Sequence, residues 1–110
     1  VPGRTGRNMS AATTVRLAHE VGNVAGMKEA SGDMVQCMEI LRDVPQDFLV
    51  VSGDDALAMA QIACGMDGVI SVAANAFPKQ FSDMVRAALI SDMVTAKKLN
   101  DPLLKAYDLM

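Results

Sequence analysis

The sequence predicts an α/β fold in which helices pack against a parallel β-sheet. Three short apolar runs have the composition of strands: Asn23–Ala30, Phe48–Ser52 and Gly68–Val72. Segments with apolar residues at helical spacing separate these runs, so strand and helix alternate at intervals of roughly 20 residues. Because parallel strands need a crossover connection between them, this alternation indicates right-handed βαβ units.

Composition and charge narrow the class of protein. Hydrophobic residues make up 51% of the 110 residues, enough for a modest core, which must be largely aliphatic because there is no Trp and only one Tyr. A net charge of -3 argues against a nucleic-acid surface, which needs clustered Lys and Arg. No apolar run approaches the roughly 20 residues that span a bilayer, and the N-terminus lacks a signal-peptide pattern. We therefore expect a cytoplasmic protein that contacts neither nucleic acid nor membrane.

The N-terminal part is expected to form a loop, a helix and a strand. Val1–Gly6 contains the Pro and Gly residues of a turn that leaves a strand. Asn8 or Ser10 is suited to cap a helix that ends at Glu20 or close to it. The apolar run Asn23–Ala30 then forms the first strand.

A second helix is expected after Asp33, which can cap its N-terminus, and it ends at Val44 before Pro45. Its apolar residues recur at helical spacing and are expected to face the core: Met34, Val35, Met38 and Leu41.

The second strand has the pattern of a strand buried on both faces. Phe48–Ser52 is an almost continuous apolar run, as in parallel sheets. Asp54 or Asp55 is expected to cap the next helix, Ala56–Cys64, with Gly65 at its end.

The third strand, Gly68–Val72, precedes two helical stretches. These stretches are expected over Pro78–Ser91 and Asp92–Met110, and Asn75 is suited to cap the first of them. Pro102 would either kink the second stretch or begin a new helix.

Lys28 is the residue that this arrangement leaves unexplained. It lies near the end of a strand that is otherwise apolar or small, and strand ends are where α/β enzymes place reactive groups. The residues alone leave two interpretations open: a reactive amine, or a lysine whose stem lies on apolar surface while its charge reaches solvent.

The remaining chemistry-bearing side chains indicate no metal site. Cys37 and Cys64 lie in helix-like segments without CxxC spacing, and His19 is the only histidine. We expect two reduced cysteines in the core and no metal.

Five segments, in order and with matching spacing, resemble the dihydrodipicolinate synthase family of class I aldolases, which also includes N-acetylneuraminate lyase. They are Val1–Gly6, Gly26–Gly32, Ser52–Asp55, Gly68–Val72 and Ala74–Asn75. The resemblance implies a (β/α)₈ TIM barrel with extra C-terminal helices. This chain would then be a fragment that holds the end of strand five, strands six to eight with their helices, and the start of the C-terminal helices.

By the same resemblance, residues 1–91 belong to the second half of the barrel and residues 92–110 to the C-terminal helical region. The chain begins without Met and ends inside a helical pattern, so both ends are expected to be cuts in a larger domain. The tyrosine and hydroxyl residues that the family uses as a proton relay would lie outside this chain.

The resemblance also assigns a site. Lys28 matches the lysine that forms a Schiff base with pyruvate, a reaction that needs an uncharged amine and is helped by burial. Arg4 matches the arginine that binds the carboxylate of the aldehyde substrate. Gly53 and Asp54 would lie near that second substrate, and the backbone carbonyl of Ile70 would line the pyruvate pocket.

Three neighbours are expected to have supporting or no roles. Glu29 should point away from Lys28, because successive strand residues face opposite sides, and it is expected to make an ion pair or a helix contact. Thr5 is expected to support its loop through its hydroxyl, and Arg7 to be solvated.

The implied function is that of a Schiff-base-forming lyase that condenses pyruvate with L-aspartate 4-semialdehyde in lysine and diaminopimelate biosynthesis. It needs no cofactor, and the family resemblance implies a homotetramer. The alternatives are another pyruvate-dependent aldolase, such as N-acetylneuraminate lyase or a keto-deoxy sugar acid aldolase, and an inactive half-barrel whose open edges self-associate.

Overall fold

The computed structural model describes residues 1–110, which form a three-stranded sheet and six α-helices. The strands are β1 (Gly26–Glu29), β2 (Leu49–Ser52) and β3 (Gly68–Val69). The helices are α1 (Pro2–Thr5), α2 (Ala11–Glu20), α3 (Met34–Asp43), α4 (Ala58–Ala63), α5 (Pro78–Leu89) and α6 (Met93–Tyr107), and a single 3₁₀ turn covers Ala73–Asn75. None of these helices is long and apolar enough to span a membrane.

The sheet is parallel with the strand order β1-β2-β3, which confirms the alternation expected from the sequence. Lys28 pairs with Val51, and Ser52 pairs with Val69. Because right-handed crossovers between strands in sequential order put every helix on the same side, this winding is that of a barrel and not of a doubly wound sheet. The strands are shorter than expected, and β3 keeps only two residues of the run Gly68–Val72.

Only one face of the sheet is covered by helices. Glu29, Val50 and Ser52 point to that face and are at most 1% exposed. Leu49 and Ile70 point to the other face and are 54% and 56% exposed. The expectation that the second strand is buried on both faces is therefore wrong for Leu49, because every crossover helix lies on the opposite side.

The core lies between the sheet and its helices and is aliphatic, as the composition predicts. One cluster joins α3 and β2 to α5 and α6: Cys37, Ile40, Phe48, Val50, Ile62, Met66, Ala87, Ala88 and Ala96. A second cluster lies around the 3₁₀ turn: Ala58, Ala73, Phe81, Met84 and Leu103. Residues of α6 belong to both clusters, so this helix packs on the layer formed by the preceding helices.

Three helices begin with a side-chain cap, and two of these caps, Ser10 and Asp33, are those expected from the sequence. The Ser10 hydroxyl accepts a hydrogen bond from the Thr13 amide at the start of α2. Asp33 accepts bonds from the amides of Val35 and Gln36 at the start of α3. Asp92 begins α6 in the same way, and Pro102 lies inside α6 and does not begin a new helix.

Two local expectations are wrong. Val1–Gly6 is not an open loop: Pro2 occupies the first position of a one-turn helix, where its fixed φ is suitable, and Gly6 ends that helix at φ 70°. The helix expected from Ala56 begins at Ala58, and neither Asp54 nor Asp55 caps it. Asp55 instead accepts a hydrogen bond from a backbone amide of the 3₁₀ turn.

The burial of three further residues also differs from the sequence pattern. Val35 and Met38 are 68% and 48% exposed, because α3 turns its Cys37 and Ile40 side towards the sheet. Cys64 is exposed at the end of α4 and does not belong to the core.

The Asn75 amide donates to the Val72 carbonyl at 3.1 Å and does not cap α5.

Candidate functional site

The carboxyl ends of the three strands meet at one edge of the sheet. The Gly53 amide donates to the Glu29 carbonyl at 2.7 Å, and the Ile70 amide donates to the Ser52 carbonyl at 2.9 Å. These bonds continue the parallel ladder beyond the strands and align Gly53 with Ile70. Since side chains alternate between faces, Lys28, Gly53 and Ile70 lie on the face that no helix covers. The structure thus brings three of the five predicted site residues together.

Gly53 provides the space in which the Lys28 side chain lies. A Cβ atom at position 53 would be 2.6 Å from Lys28 Cε, 3.0 Å from Lys28 Cγ and 2.7 Å from Ala30 Cβ. Real Cβ atoms essentially never approach other atoms that closely. The backbone of Gly53 does not have a positive φ, so this position requires glycine for space and not for conformation.

The amine of Lys28 is free. The five ion pairs of the chain lie on exposed helix surfaces or helix ends, and none includes Lys28. Its side chain is half-buried, and Nζ makes no hydrogen bond within the chain. An amine that no carboxylate neutralises, at the end of a strand, is available to react with a carbonyl compound.

Asp54 lies in a loop that Ser52 holds in place. The Ser52 hydroxyl is 3.0 Å from the Asp54 amide and 3.1 Å from its carbonyl oxygen. The Asp54 carboxylate makes no hydrogen bond within the chain and is half-buried beside Gly53. The next residue, Asp55, joins this loop to the loop after β3, because its Oδ2 accepts from the Ala73 amide at 2.8 Å.

Arg4 is exposed on α1, and its guanidinium makes no hydrogen bond or ion pair. The loop expected over Val1–Gly6 is replaced by the helix α1, and the structure does not connect Arg4 to the other site residues. Its substrate-binding role stays a prediction. The role expected for Thr5 is confirmed: its hydroxyl lies 3.0 Å from the Arg7 carbonyl oxygen and 3.3 Å from the Arg7 amide.

Glu29 faces away from Lys28, as the strand alternation predicts, and makes the expected helix contact. Its Oε1 accepts from the Ser31 amide at 2.6 Å, and its Oε2 accepts from Gln36 Nε2 on α3 at 3.0 Å. Burial, with the nearby Glu29 carboxylate as a second cause, raises the pKa of the Cys37 thiol.

Gln36 is a residue that the sequence reasoning missed. It makes hydrogen bonds to Glu29 and also to Asn8 and Met9 of the N-terminal segment. The signal that could have identified it is its place in the sequence. Gln36 is a polar residue next to Cys37, in the first turn of the helix that follows the strand of Lys28.

The molecule is a section of a (β/α)₈ barrel. Its parallel strands follow in sequential order, its helices cover one face of the sheet, and a free lysine lies on the other face at the strand ends. Strands β1, β2 and β3 correspond to strands six, seven and eight of that barrel. The chain belongs to the dihydrodipicolinate synthetase family, which matches residues 1–110.

The relatives of this chain are consistent in name and in structure. It is 52% identical over 99 residues to a 4-hydroxy-tetrahydrodipicolinate synthase of Cytophaga hutchinsonii, covering 90% of the chain and 33% of that protein. It is 50% identical over 110 residues to the synthase of Neisseria meningitidis serogroup C, covering 100% of the chain and 38% of that protein.

Solved structures give the same result. The dihydrodipicolinate synthase of Aquifex aeolicus superposes with a TM-score of 0.93 at 35% identity, over 98% of this chain and 37% of that one. The enzyme of Acinetobacter baumannii, solved in complex with pyruvate, superposes with a TM-score of 0.91 at 39% identity, over 98% of this chain and 37% of that one. The chain therefore spans little more than a third of the length of these relatives.

Proposed function

We propose that the whole protein containing this chain is a 4-hydroxy-tetrahydrodipicolinate synthase, which condenses pyruvate with L-aspartate 4-semialdehyde. The observation that carries the proposal is the free amine of Lys28, whose side chain lies in the space left by Gly53. The names of the curated relatives support this activity, and the pyruvate complex of the Acinetobacter baumannii enzyme supports the first substrate. Neither the Cytophaga nor the Neisseria relative is named as a sugar-acid aldolase.

In the proposed mechanism, Lys28 acts as the nucleophile. Its uncharged amine attacks the ketone carbon of pyruvate, and loss of water leaves a cationic iminium. The iminium withdraws electrons from the neighbouring methyl group, so that the methyl group loses a proton and the iminium becomes a neutral enamine. The enamine carbon then attacks the aldehyde of the second substrate, whose oxygen takes up a proton and becomes a hydroxyl while the iminium is regenerated. The amino group of the second substrate attacks that iminium carbon, and the Lys28 amine leaves. The route needs no redox or metal cofactor because the iminium itself is the electron sink.

The other predicted site residues would bind and orient the substrates. The carbonyl oxygen of Ile70 accepts no hydrogen bond within the chain and can face the pyruvate pocket. Gly53 and Asp54 would lie beside the second substrate. The guanidinium of Arg4 is free to hold a carboxylate through two parallel hydrogen bonds, once the rest of the barrel surrounds it.

Borohydride trapping tests the proposal on the whole protein. With pyruvate present, borohydride should reduce the iminium, and peptide mass spectrometry should locate the adduct on Lys28. The Lys28→Arg variant should give no adduct and no turnover, while Lys105→Arg, which changes an exposed and unpaired lysine of α6, should behave as the unmodified protein. An adduct on any other lysine, or none at all, would contradict the proposal.

We further propose that the protein acts in the cytoplasm as a homotetramer. The exposed apolar side chains of Val35 and Met38 on α3 are suited to burial against a second copy. One solved relative is described as a monomeric variant, so assembly differs within the family. Light scattering of the purified whole protein measures its mass in solution, and a stable monomer would contradict this part of the proposal.

A further inference from the structure

The segment that carries Arg4 is connected to the rest of the chain by hydrogen bonds at a single side chain. Backbone bonds of residues 1–9 stay within the segment, as do those of Thr5. Every hydrogen bond from residues 1–9 to a residue beyond them ends on Gln36 of α3.

The contact between Gln36 and this segment is reciprocal. Asn8 Nδ2 donates to Gln36 Oε1 at 2.8 Å, and Gln36 Nε2 lies 3.2 Å from Asn8 Oδ1. Gln36 Nε2 also lies 3.3 Å from the Met9 carbonyl oxygen. Two amides paired in this way fix both the distance and the orientation of the segment relative to α3.

Gln36 is itself held by the buried carboxylate next to Lys28. Glu29 is 1% exposed, and its Oε2 accepts from Gln36 Nε2 at 3.0 Å while its Oε1 accepts from the Ser31 amide at 2.6 Å. A buried carboxylate that accepts two bonds is rigid, because losing either partner would leave charge without compensation. The chain of contacts thus runs from the lysine strand through Glu29 and Gln36 to Asn8.

A groove separates the two parts that this network joins. Val1, Pro2, Asn8 and Met9 line one part of it, and Lys28–Ser31 and Gln36 line the other. The Glu29–Gln36–Asn8 contacts therefore connect the N-terminal segment across this groove to the strand end that carries the amine.

We propose that Gln36, held by Glu29 and paired with Asn8, is a positioning residue that places the Arg4 segment opposite Lys28. This inference rests on the proposed function. It assigns the network to the binding of the second substrate and not to the formation of the iminium, because Lys28 is held by β1 whether or not the segment is in place.

The test is a kinetic comparison in the whole protein. Asn8→Ala removes the exposed end of the network and leaves the Glu29–Gln36 bond, so the fold should be kept. We expect the KM for aspartate semialdehyde to rise by at least about threefold, because both neutral hydrogen bonds of the Asn8–Gln36 pair are lost. The rate of borohydride trapping with pyruvate alone should stay within about twofold of the unmodified protein. Asn23→Ala, at an exposed asparagine without hydrogen bonds, is the matched control.

A second set of variants tests the role of Gln36 itself. Gln36→Ala should raise the same KM further, since the Met9 contact is lost too, and Gln80→Ala on the exposed side of α5 is its control. Gln36→Glu would place two carboxylates next to each other and should also raise the KM for aspartate semialdehyde. Combining it with Glu29→Gln again places a donor opposite an acceptor and should reverse most of that increase. A role in folding alone would lower the melting temperature without separating KM from trapping.

The outcomes separate the two proposals. If the unmodified protein gives no Lys28 adduct, the proposed function is wrong. If it gives the adduct but Asn8→Ala and Gln36→Ala leave the KM for aspartate semialdehyde at the value of their controls, the positioning role of Gln36 is wrong. If either variant slows trapping as much as it raises KM, the network acts on the amine and the inference is overturned.

Discussion

Replacing Gly53 by Ala adds a single methyl group, and we expect separate effects on the stability of the fold and on the reactivity of Lys28. In Gly53→Ala the new Cβ would lie 2.6 Å from Lys28 Cε and 2.7 Å from Ala30 Cβ, whereas ordinary van der Waals contact begins at 3.4 Å. The shortfall is about 0.8 Å for the lysine and about 0.7 Å for the alanine. The lysine stem can rotate away, but the Ala30 Cβ can yield only if the two strands separate.

Each movement has a measurable consequence. Overpacking of this kind costs about 1–3 kcal/mol, which urea denaturation of the whole protein would detect as a lower free energy of unfolding. Displacing a reacting atom by about 1 Å reduces a rate by roughly a hundredfold. We therefore expect the rate of iminium formation with pyruvate, measured by borohydride trapping, to fall by about that factor in Gly53→Ala.

Two further variants make the interpretation specific. Gly22→Ala adds a Cβ where no atom lies within 4 Å and should change neither quantity. Adding Ala30→Gly to Gly53→Ala removes the contact with Ala30 and should recover stability but not the trapping rate, because the contact with Lys28 remains. If Gly53→Ala traps pyruvate as fast as Gly22→Ala, then the space beside Lys28 is not what positions the amine.

Two other predictions concern the core and the C-terminal helix. Ile40 is fully buried, and Ile40→Ala should lower the free energy of unfolding by about 2–5 kcal/mol. Val94→Ala, on the exposed side of α6, should lower it by less than about 0.5 kcal/mol. Equal losses in urea denaturation would contradict the assignment of the core. Burial and the Asp55 carboxylate raise the pKa of Tyr107 to about 12. Because the folded value lies above the unfolded value of about 10, the contribution of the neutral phenol is complete below about pH 10 and is lost as the pH rises towards 12. Tyr107→Phe should therefore flatten the loss of stability between about pH 10 and about pH 12, and an unchanged alkaline slope would show that the phenol is not the group responsible.

Local chemistry explains which expectations from the sequence are correct. The caps at Ser10 and Asp33 depend on residues within one helical turn, so the sequence contains everything they need. The parallel order of the strands follows from the alternation of apolar runs with helices. The opposite orientation of Glu29 and Lys28 follows from the period of a strand alone.

Several of the incorrect expectations depend on what packs against a residue. Val35 and Met38 have helical spacing but lie on the side of α3 away from the sheet, and Leu49 faces the side that no helix covers. Asp55 is a good helix cap by sequence, yet its carboxylate accepts a hydrogen bond from the amide of Ala73, 18 residues later. Competition between local and distant partners is decided only when the chain has folded.

The sequence by itself determined that helices alternate with parallel strands and that a lysine lies at a strand end, because strand period, helix spacing and a charged residue at a strand end are local properties. The reactive role predicted for that lysine came from the family resemblance. Only the tertiary structure decided how the site is built. Gly53 is a neighbour of Lys28 because parallel pairing aligns two strands that are distant in sequence. Gln36 joins Asn8 to Glu29 because α3 packs beside the N-terminal segment. Those contacts join different elements, so the residue pattern of a single element does not predict them.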